Sequence, residues 1–581
     1  MTLIRIREQT GGQNGSNATL SFADGGDYAI TIHDPFSKEQ EEQLEWYFEE
    51  HLDFPFLQQV KAQTAAASID SYGETLFKQL FADPEAYATY KDALKAGPHT
   101  LHFEIVGSPG FHALHWEALK DPKRPEPLAL QASMVRKNRD PQVSQAKVRT
   151  SPTLNVLLIT ARPFGKQDVG YRTISRPLVE GLRQIDVPVQ IEILRPGTYQ
   201  ALVEHLEEVK QHKTDEEAGG YYHVIHFDVH GALLTHKQLQ QAHEANRYLF
   251  QARYGCTDIA PYEGHKAFLF LDGEQDEQAD PVEASELSNL LLTYQIPIAI
   301  LNACQSGKQV GKDVDASETS LGSRLMQAGT QQVLAMGYSV TVTAAEMLMS
   351  RLYKHIFSGQ DLATAICRAR QELYNRKGRQ ASFNQTIDLE DWLLPVVYQN
   401  QAQRLRVREF SPEESKAYYE QQAQSYTPPQ PNYGFVGRDL DILQLEKRLL
   451  TKRNIMLVQG MGGAGKTTLL QHLGAWWQTT GLVEQIFYFG YDEKAWTRQQ
   501  ILHSIAPRLL GPVDYLRVFQ PLPLDAQQVL LTRRLRAQRH LLMLDNLESI
   551  TGAQLAIQHT LPAEEQEALH TLLADLTGGQ T

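Results

Sequence analysis

Two short runs, residues 221–231 (YYHVIHFDVHG) and residues 296–307 (IPIAILNACQSG), constrain this chain more than any other feature. Each is rich in β-branched and aromatic residues, is too short for a core helix, and is closed by glycine, so each reads as a buried strand. Strands apolar on both faces belong to parallel sheets covered by helices. From Leu154 onward strand-like and helix-like stretches alternate, which argues for the same arrangement. Strands are expected at 154–160, 189–194, 221–231, 267–271, 296–302, 332–336 and 393–398, with helices at 177–184, at 196–210 and from about 319. The fold class is α/β, a parallel sheet with flanking helices. Reactive groups of such sheets gather beyond the carboxyl ends of adjacent strands, and His230 and Cys304 both fall there.

A cysteine peptidase needs a thiolate, a histidine to move protons and backbone N–H donors for the developing oxyanion. Cys304 supplies the thiol, His230 the imidazole, and the N–H groups of Gly231 and Cys304 the donors. Glycine after the histidine lets the backbone approach a substrate closely. The caspase signature is QAC-x-G with a histidine roughly 50 residues upstream. Here residues 302–307 read NACQSG, with Asn302 in the first place and a longer spacing. A lone cysteine at a strand end is ordinarily a small buried side chain, and a lone histidine a satisfied core residue. It is their order, with a glycine after each, that favours a catalytic pair over an inactive copy. His226 and His230 stand four apart, a spacing that converges on a helix but spreads along a strand. No metal or other cofactor is therefore expected for the peptidase.

With these residues in view, the sequence resembles the CHAT peptidases, relatives of caspases and separases that share the caspase-hemoglobinase fold. The resemblance extends to residues 320–329 (SLGSRLMQAG), 333–340 (VLAMGYSV), 363–373 and 392–397 (WLLPVV), and upstream to Trp116-Glu117, covering most of residues 1–400. It implies a His230/Cys304 dyad and a protein substrate. It also implies that the pocket for the residue before the cut draws on the loop after the first strand and on residues just before the cysteine. That loop, residues 161–175, carries Asp168 and Arg172, and Asn302 stands two before Cys304. Opposite charge would match Asp168 to a basic residue or Arg172 to an acidic one; the leaning is to Asp168 and a basic residue.

Residues 1–150 read as an α+β part of the same region, with strands at 17–22, 28–33, 100–106 and 128–135 and a helix at 37–52 started by Ser37. The acidic face of that helix is expected to be solvated, and the part to support the peptidase sheet or dock partners. The peptidase domain proper is expected at 151–398.

Several classes of function are excluded by composition. A chain of 581 residues, 42% hydrophobic and 21% charged, is ordinary globular protein of several domains. A net charge of −14 without a basic block excludes a nucleic-acid backbone as ligand. Three cysteines, Cys256, Cys304 and Cys367, are too few for a disulfide framework, so a reducing compartment is expected, with Cys256 and Cys367 inert. No signal segment or apolar run of bilayer length is present, so the expected location is cytoplasmic, with no membrane partner.

Residues 399–431, rich in Gln and charge and ending in Pro, read as a linker. A second domain is expected at 432–581. Residues 454–468 (NIMLVQGMGGAGKTT) fit the P-loop pattern, with an apolar strand expected before it and a helix after it. Gly460, Gly462, Gly463 and Gly465 let successive N–H groups cradle phosphates, Lys466 reaches the β and γ phosphates, and Thr467, followed by Thr468, coordinates magnesium. Residues 540–548 (HLLMLDNLE) supply Asp545 to the magnesium and Glu548 to orient an attacking water. Together with residues 435–438 (FVGR) these motifs resemble the STAND class of signalling ATPases, which includes NB-ARC and NACHT types. That resemblance places Val436 and Arg438 near the adenine of ATP or ADP and implies self-oligomerisation through this domain.

After Asp545 only one further helix, 563–576, is expected. No sensor strand, lid or winged helix follows, so the chain is expected to be a piece of a longer protein with a C-terminally incomplete P-loop NTPase domain. The whole reads as a caspase-like cysteine endopeptidase under a STAND-type ATP-binding switch, resembling prokaryotic signalling or defence effectors. The alternative is a non-catalytic ATP-dependent scaffold with a degenerate caspase-like domain.

Overall fold

The computed structural model describes all residues except 1, 10–15, 24, 140–147, 164–174, 183–187, 214–219, 245–260, 274–277, 303–320, 328–329, 406, 430, 432–434, 436, 451–453, 552–558 and 578–581. Two units are present, Met1–Gln190 with Gly197–Glu409, and Ile191–Pro196 with Phe410–Thr581.

The main sheet has eleven strands in the order β3-β2-β1-β4-β5-β16-β13-β12-β8-β6-β7. The N-terminal strands are β1 (Thr2–Glu8), β2 (Ser16–Phe22), β3 (Asp27–Ile32), β4 (Leu101–Val106) and β5 (Ser133–Lys137). They continue the sheet that holds β6 (Leu154–Thr160), β7 (Val189–Ile193), β8 (Val224–Asp228), β12 (Ile298–Asn302), β13 (Gln332–Met336) and β16 (Pro395–Gln399). Strands β6, β8 and β13 are buried at every position, as expected of strands covered on both faces. The helices Val342–Phe357 and Leu362–Asn375 supply apolar cover; Tyr353 of the first reaches His226 on β8, sharing a 2.8 Å hydrogen bond with Nδ1. Because β6, β8, β12 and β13 run parallel, their carboxyl ends share one edge. The register is decisive there: Thr160 pairs with Asp228, and Asp228 with Asn302, so three strand ends stand in one row.

Beside this sheet, β9 (His230–Leu234), β10 (Lys266–Asp272) and β11 (Ala279–Glu283) form a separate antiparallel sheet in the order β11-β10-β9. Two expectations change as a result. The histidine run is not one strand, because β8 stops at Asp228 and His230 opens β9. The 267–271 strand, read as part of the main sheet, belongs to the small one. Its apolar residues are buried because Phe268 and Phe270 pack with Leu239 and Ala279 in a small core of their own. The 128–135 strand is also shorter than expected: Leu128–Leu130 is a 3-10 turn, closed by Leu130 N–H on the Pro127 carbonyl, and β5 follows it.

Two helices matter below, α1 (Lys38–Glu49) and α2 (Gln59–Leu80). Ser37 starts α1 as expected, in a capping box with Gln40. The hairpin of β14 (Gly378–Ala381) and β15 (Gln385–Asp388) is anchored by Arg379, which donates from Nε (2.5 Å) and Nη2 (2.7 Å) to the two oxygens of Asp391. Both side chains are fully buried.

The second unit holds a two-stranded parallel sheet, β17 (Ile486–Gly490) and β18 (Leu541–Asp545), packed against the helices Arg498–Asp514, Leu524–Ala537 and Ala563–Leu576 through Phe487, Phe489, Ile501, Leu531 and Leu569. The strand expected before the P-loop is not formed. Residues 454–460 pair with no strand among the described residues, and Ile455 and Leu457 stay exposed, since local apolarity alone does not supply a neighbouring strand. Within 399–431 the helix Pro412–Ala423 forms, with a capping box at Ser411 and no buried residue.

Arg379→Met would leave the Asp391 carboxylate buried without its cation. Removing one partner of such a pair costs about 3–5 kcal/mol. Burial already pushes the Asp391 carboxyl up to about 6 and loss of the cation raises it further, so the penalty should be small at about pH 5, where the carboxyl is mostly neutral in both proteins, and grow towards pH 8, where the parent's is charged. Urea midpoints of parent and variant at both pH values check this; an equal loss at both would contradict it.

Candidate functional site

The row of strand ends is tied together by one carboxylate. Asp228 is buried, and its Oδ2 accepts from Nη2 of Arg162 at 2.6 Å while its Oδ1 accepts from the Asn302 side-chain amide at 3.3 Å. Arg162 lies just beyond β6 and donates from Nη1 to the carbonyls of Asp228 (2.8 Å) and Ala161 (2.9 Å). A buried ion pair persists only when its remaining donors are also satisfied, and here the main chain does this. The small sheet is fixed to the same point, because Arg162 N–H donates to Oδ1 of Asp272, the last residue of β10, at 3.1 Å. Asp272 N–H in turn donates to the Gly197 carbonyl at 3.0 Å. Only glycine fits at 197, where a Cβ would stand 2.5 Å from the Thr160 carbonyl.

His230 begins β9 two residues beyond this clamp, half-buried and opposite Phe270, with Gly231 opposite Leu269. Asn302 ends β12 in the row itself. Cys304 lies outside the described residues, as do Asp168 and Arg172. His223 and His226 serve the core. His223 Nδ1 accepts the Asn155 N–H at 3.0 Å and its Nε2 meets the Arg149 carbonyl at 2.8 Å, while burial lowers His226 to about 4. Sequence reasoning missed Arg162 and Asp228. The signal was available, since an aspartate inside the apolar run 224–229 must have a buried partner.

In the second unit the P-loop turns through Gly463 (φ 78°) and Gly465 (φ 80°), left-handed conformations that favour glycine, and the helix Lys466–Thr479 starts at once. Lys466 Nζ donates to the carbonyls of Gly460 (2.9 Å) and Met461 (3.2 Å). Gly462 has open space where a Cβ would lie. Thr467 and Thr468 are half-buried in the first helical turn. Asp545 ends β18, with Oδ2 accepting from the Tyr488 hydroxyl at 2.9 Å and Oδ1 from Asn546 N–H at 3.0 Å; Glu548 is exposed three residues on. Val436 lies outside the described residues, but Arg438 donates to the Ala464 carbonyl inside the P-loop at 2.7 Å and pairs with Asp441. Left-handed glycines at a helix N-terminus, an ammonium beside them and the hard oxygen donors Thr467 and Asp545 fit a magnesium nucleotide.

The family model of the CHAT domain matches residues 70–427, more than half of the chain. The chain belongs to the CHAT-domain family. A second family model, that of the NACHT domain, matches residues 454–580, which selects NACHT from the STAND types left open above and implies nucleotide binding at the P-loop. No curated protein matches the chain. Among solved structures it is similar to two crystal structures of the Saccharomyces cerevisiae separase–securin complex, at 10% identity in each and TM-scores of 0.35 and 0.34. The match covers 68% of this chain and only 30% of those. A likeness that distant carries nothing further. No helix among the described residues is long and apolar enough to cross a membrane.

The first unit holds one more set of contacts at the edge where Asn302 lies. Strand β13 exits there, and Tyr338 and Ser339 of its exit are held by α1: the Tyr338 hydroxyl donates to Oε1 of Glu41 at 2.5 Å, and Ser339 bonds Glu49 through its N–H (2.9 Å) and its hydroxyl. The acidic face expected to be solvated is therefore partly committed to this segment. Glu41 also meets Nε2 of His115 at 2.9 Å. Burial alone would lower the His115 imidazole, but the Glu41 carboxylate beside it holds it above its ordinary value. The sign follows from linkage. With the folded pKa raised, the stability this pair contributes is complete below the unfolded pKa of about 6.5 and is lost as pH rises through the raised value. The melting temperature should fall through this pair as pH rises above about 6.5, and Glu41→Gln should flatten that dependence. An unchanged slope in the variant would contradict the assignment.

Proposed function

We propose that the CHAT domain is a cysteine endopeptidase in which Cys304 is the nucleophile and His230 its proton carrier. The observation that supports this reading is the clamped row of Thr160, Asp228 and Asn302. It sets the chain leading to His230 and the chain leading to Cys304 at one edge of the sheet, as an acid–base partner and its nucleophile require. His230 takes the proton of the Cys304 thiol as sulfur bonds to the scissile carbonyl carbon. The N–H groups of Gly231 and Cys304 meet the oxyanion. Collapse breaks the C–N bond, and His230 returns the proton to the leaving amine. Water, deprotonated by the same imidazole, then cleaves the thioester and restores the thiol.

The residue before the cut is proposed to be basic and matched by Asp168, with Asn302 at the pocket's base. The cation at the exit of β6, Arg162, is already neutralised by Asp228, which weakens the case for an acidic residue. Cys304→Ala and His230→Ala should each reduce cleavage of a Lys- or Arg-containing peptide library by about a thousandfold or more with the circular dichroism unchanged. Cleavage surviving in the cysteine variant would remove the mechanism, and cutting only after Asp would reverse the pocket assignment.

We infer further that the NACHT domain binds ATP or ADP with magnesium through Lys466, Thr467 and Asp545, with Glu548 orienting water and Val436 and Arg438 beside the adenine. Self-assembly through this domain, a cytoplasmic location and a role in prokaryotic signalling or defence belong to the same proposal. A reducing compartment suits the free thiol of Cys367, which burial pushes up in pKa and keeps inert.

Affinity is expected to be modest, because the P-loop is open to solvent and phosphate binding gains strength when water is excluded. Calorimetry on residues 1–581 should give weak binding that Lys466→Ala reduces further, and peptidase activity should not respond to ATP. Sustained phosphate release or ATP-dependent proteolysis would contradict this expectation.

A further inference from the structure

Phe54, Phe56, Leu57 and Val60, in the turn between α1 and α2 and at the start of α2, are 58–76% exposed, and so is Phe383 at the tip of the β14–β15 hairpin. They form one patch. The Phe56 and Phe383 rings lie 5.9 Å apart, Leu57 N–H donates to the Phe54 carbonyl at 3.0 Å, and Ser382 N–H donates to the Leu52 carbonyl at 3.0 Å, which joins the hairpin tip to the α1–α2 turn. The backbone that presents these side chains is unusual. Phe383 (φ 60°), Asn384 (φ 56°) and Gln58 (φ 55°) all adopt left-handed conformations without being glycine. Such conformations disfavour side chains with a Cβ and concentrate where function requires them. Several large apolar side chains exposed together mark an interaction site more than singly scattered ones do.

The charge around the patch indicates what covers it. Glu50, Asp53 and Asp388 are exposed carboxylates on the same segments. The lysines on the flanking segments are committed elsewhere, Lys61 over the Trp46 ring at 4.0 Å and Lys377 on Glu390 at 2.7 Å. Two copies of an acid-rimmed patch repel each other, and the chain already carries a net charge of −14. We propose that this surface docks an amphipathic segment of a partner protein whose apolar face covers the five side chains and whose flanking Lys or Arg residues meet the acidic rim. An amphipathic segment laying its apolar face on aromatic anchors is the recognition mode this surface suits. The surface also follows directly on α1, which ends at Glu49 and holds Tyr338 and Ser339 at the exit of β13.

The test uses the 581-residue protein and two synthetic probes, an amphipathic Leu/Lys helical peptide and its Leu/Glu counterpart, in fluorescence anisotropy at about 150 mM salt. The Leu/Lys peptide should bind and the Leu/Glu peptide should not. The double variant Phe56→Ser/Phe383→Ser should weaken binding by about tenfold or more, as loss of central aromatic anchors does. Asp53→Asn/Asp388→Asn should weaken it less and reduce its salt dependence. If the double variant does not fold, as judged by circular dichroism, Leu57→Ser alone carries the same expectation at smaller size. Absence of Leu/Lys binding, or binding indifferent to the apolar substitutions, would overturn the proposal, the latter showing unspecific attraction to a negative protein. A concentration-dependent dimer in sedimentation that the same substitutions abolish would overturn it in favour of a second copy as occupant.

Discussion

A carboxylate placed inside an apolar strand has to be neutralised and fully bonded, and the way Asp228 meets that requirement organises the candidate site. Its partners come from different strands: Arg162 follows β6, Asn302 ends β12, and Asp272 of β10 closes on the Arg162 N–H. One buried cluster therefore registers the parallel sheet and docks the small antiparallel sheet onto it. Leaving any of these groups unpaired in the interior would cost several kcal/mol, about the size of a domain's spare stability. That cost is what locates the start of β9, and with it His230, relative to the end of β12. The proposed dyad rests on this placement.

How far the sequence carried these conclusions differs from element to element. Strands β6 and β13 are legible residue for residue, because a short, mostly apolar run bounded by polar residues is the pattern of a strand buried on both faces. The β8/β9 break is not legible, since residues 221–231 stay strand-like throughout and only the Arg162–Asp228 contact decides where the parallel ladder stops. The same limit explains residues 454–460, whose apolar pattern is that of a strand but whose pairing depends on neighbours that pattern cannot supply. Strand β1 was overlooked although Ile4 and Ile6 alternate with Arg5 and Arg7, a period-two signal at the very start of the chain. Within the candidate site His230, Gly231 and Asn302 were legible as candidates, because residue type and spacing mark them locally. Arg162 and Asp228 were not, because their roles exist only across strands.

The N-terminal region gains a more specific role from the structure than from its sequence. It shares the eleven-stranded sheet with the strands that lie within residues 70–427. Its helix α1 holds the exit of β13 through Glu41 and Glu49 and ends beside an exposed aromatic surface with an acidic rim. One element thus holds the exit of β13 along its acidic face and leads, beyond its C-terminus, into the proposed partner surface. In the second unit, Arg438 on the P-loop carbonyl and Tyr488 on the Asp545 carboxylate are contacts that motif spacing alone does not anticipate.

The central claim is that the clamped strand ends bring His230 to Cys304 as a working acid–base pair. Its most direct measurement is the rate of iodoacetamide modification of each cysteine against pH, resolved by mass spectrometry in the parent and in His230→Ala. The account predicts that Cys304 reacts with a midpoint well below the free-thiol value of about 8.5, that this midpoint rises in the histidine variant, and that buried Cys367 stays unmodified. A Cys304 that titrates like a free thiol in both proteins would contradict it.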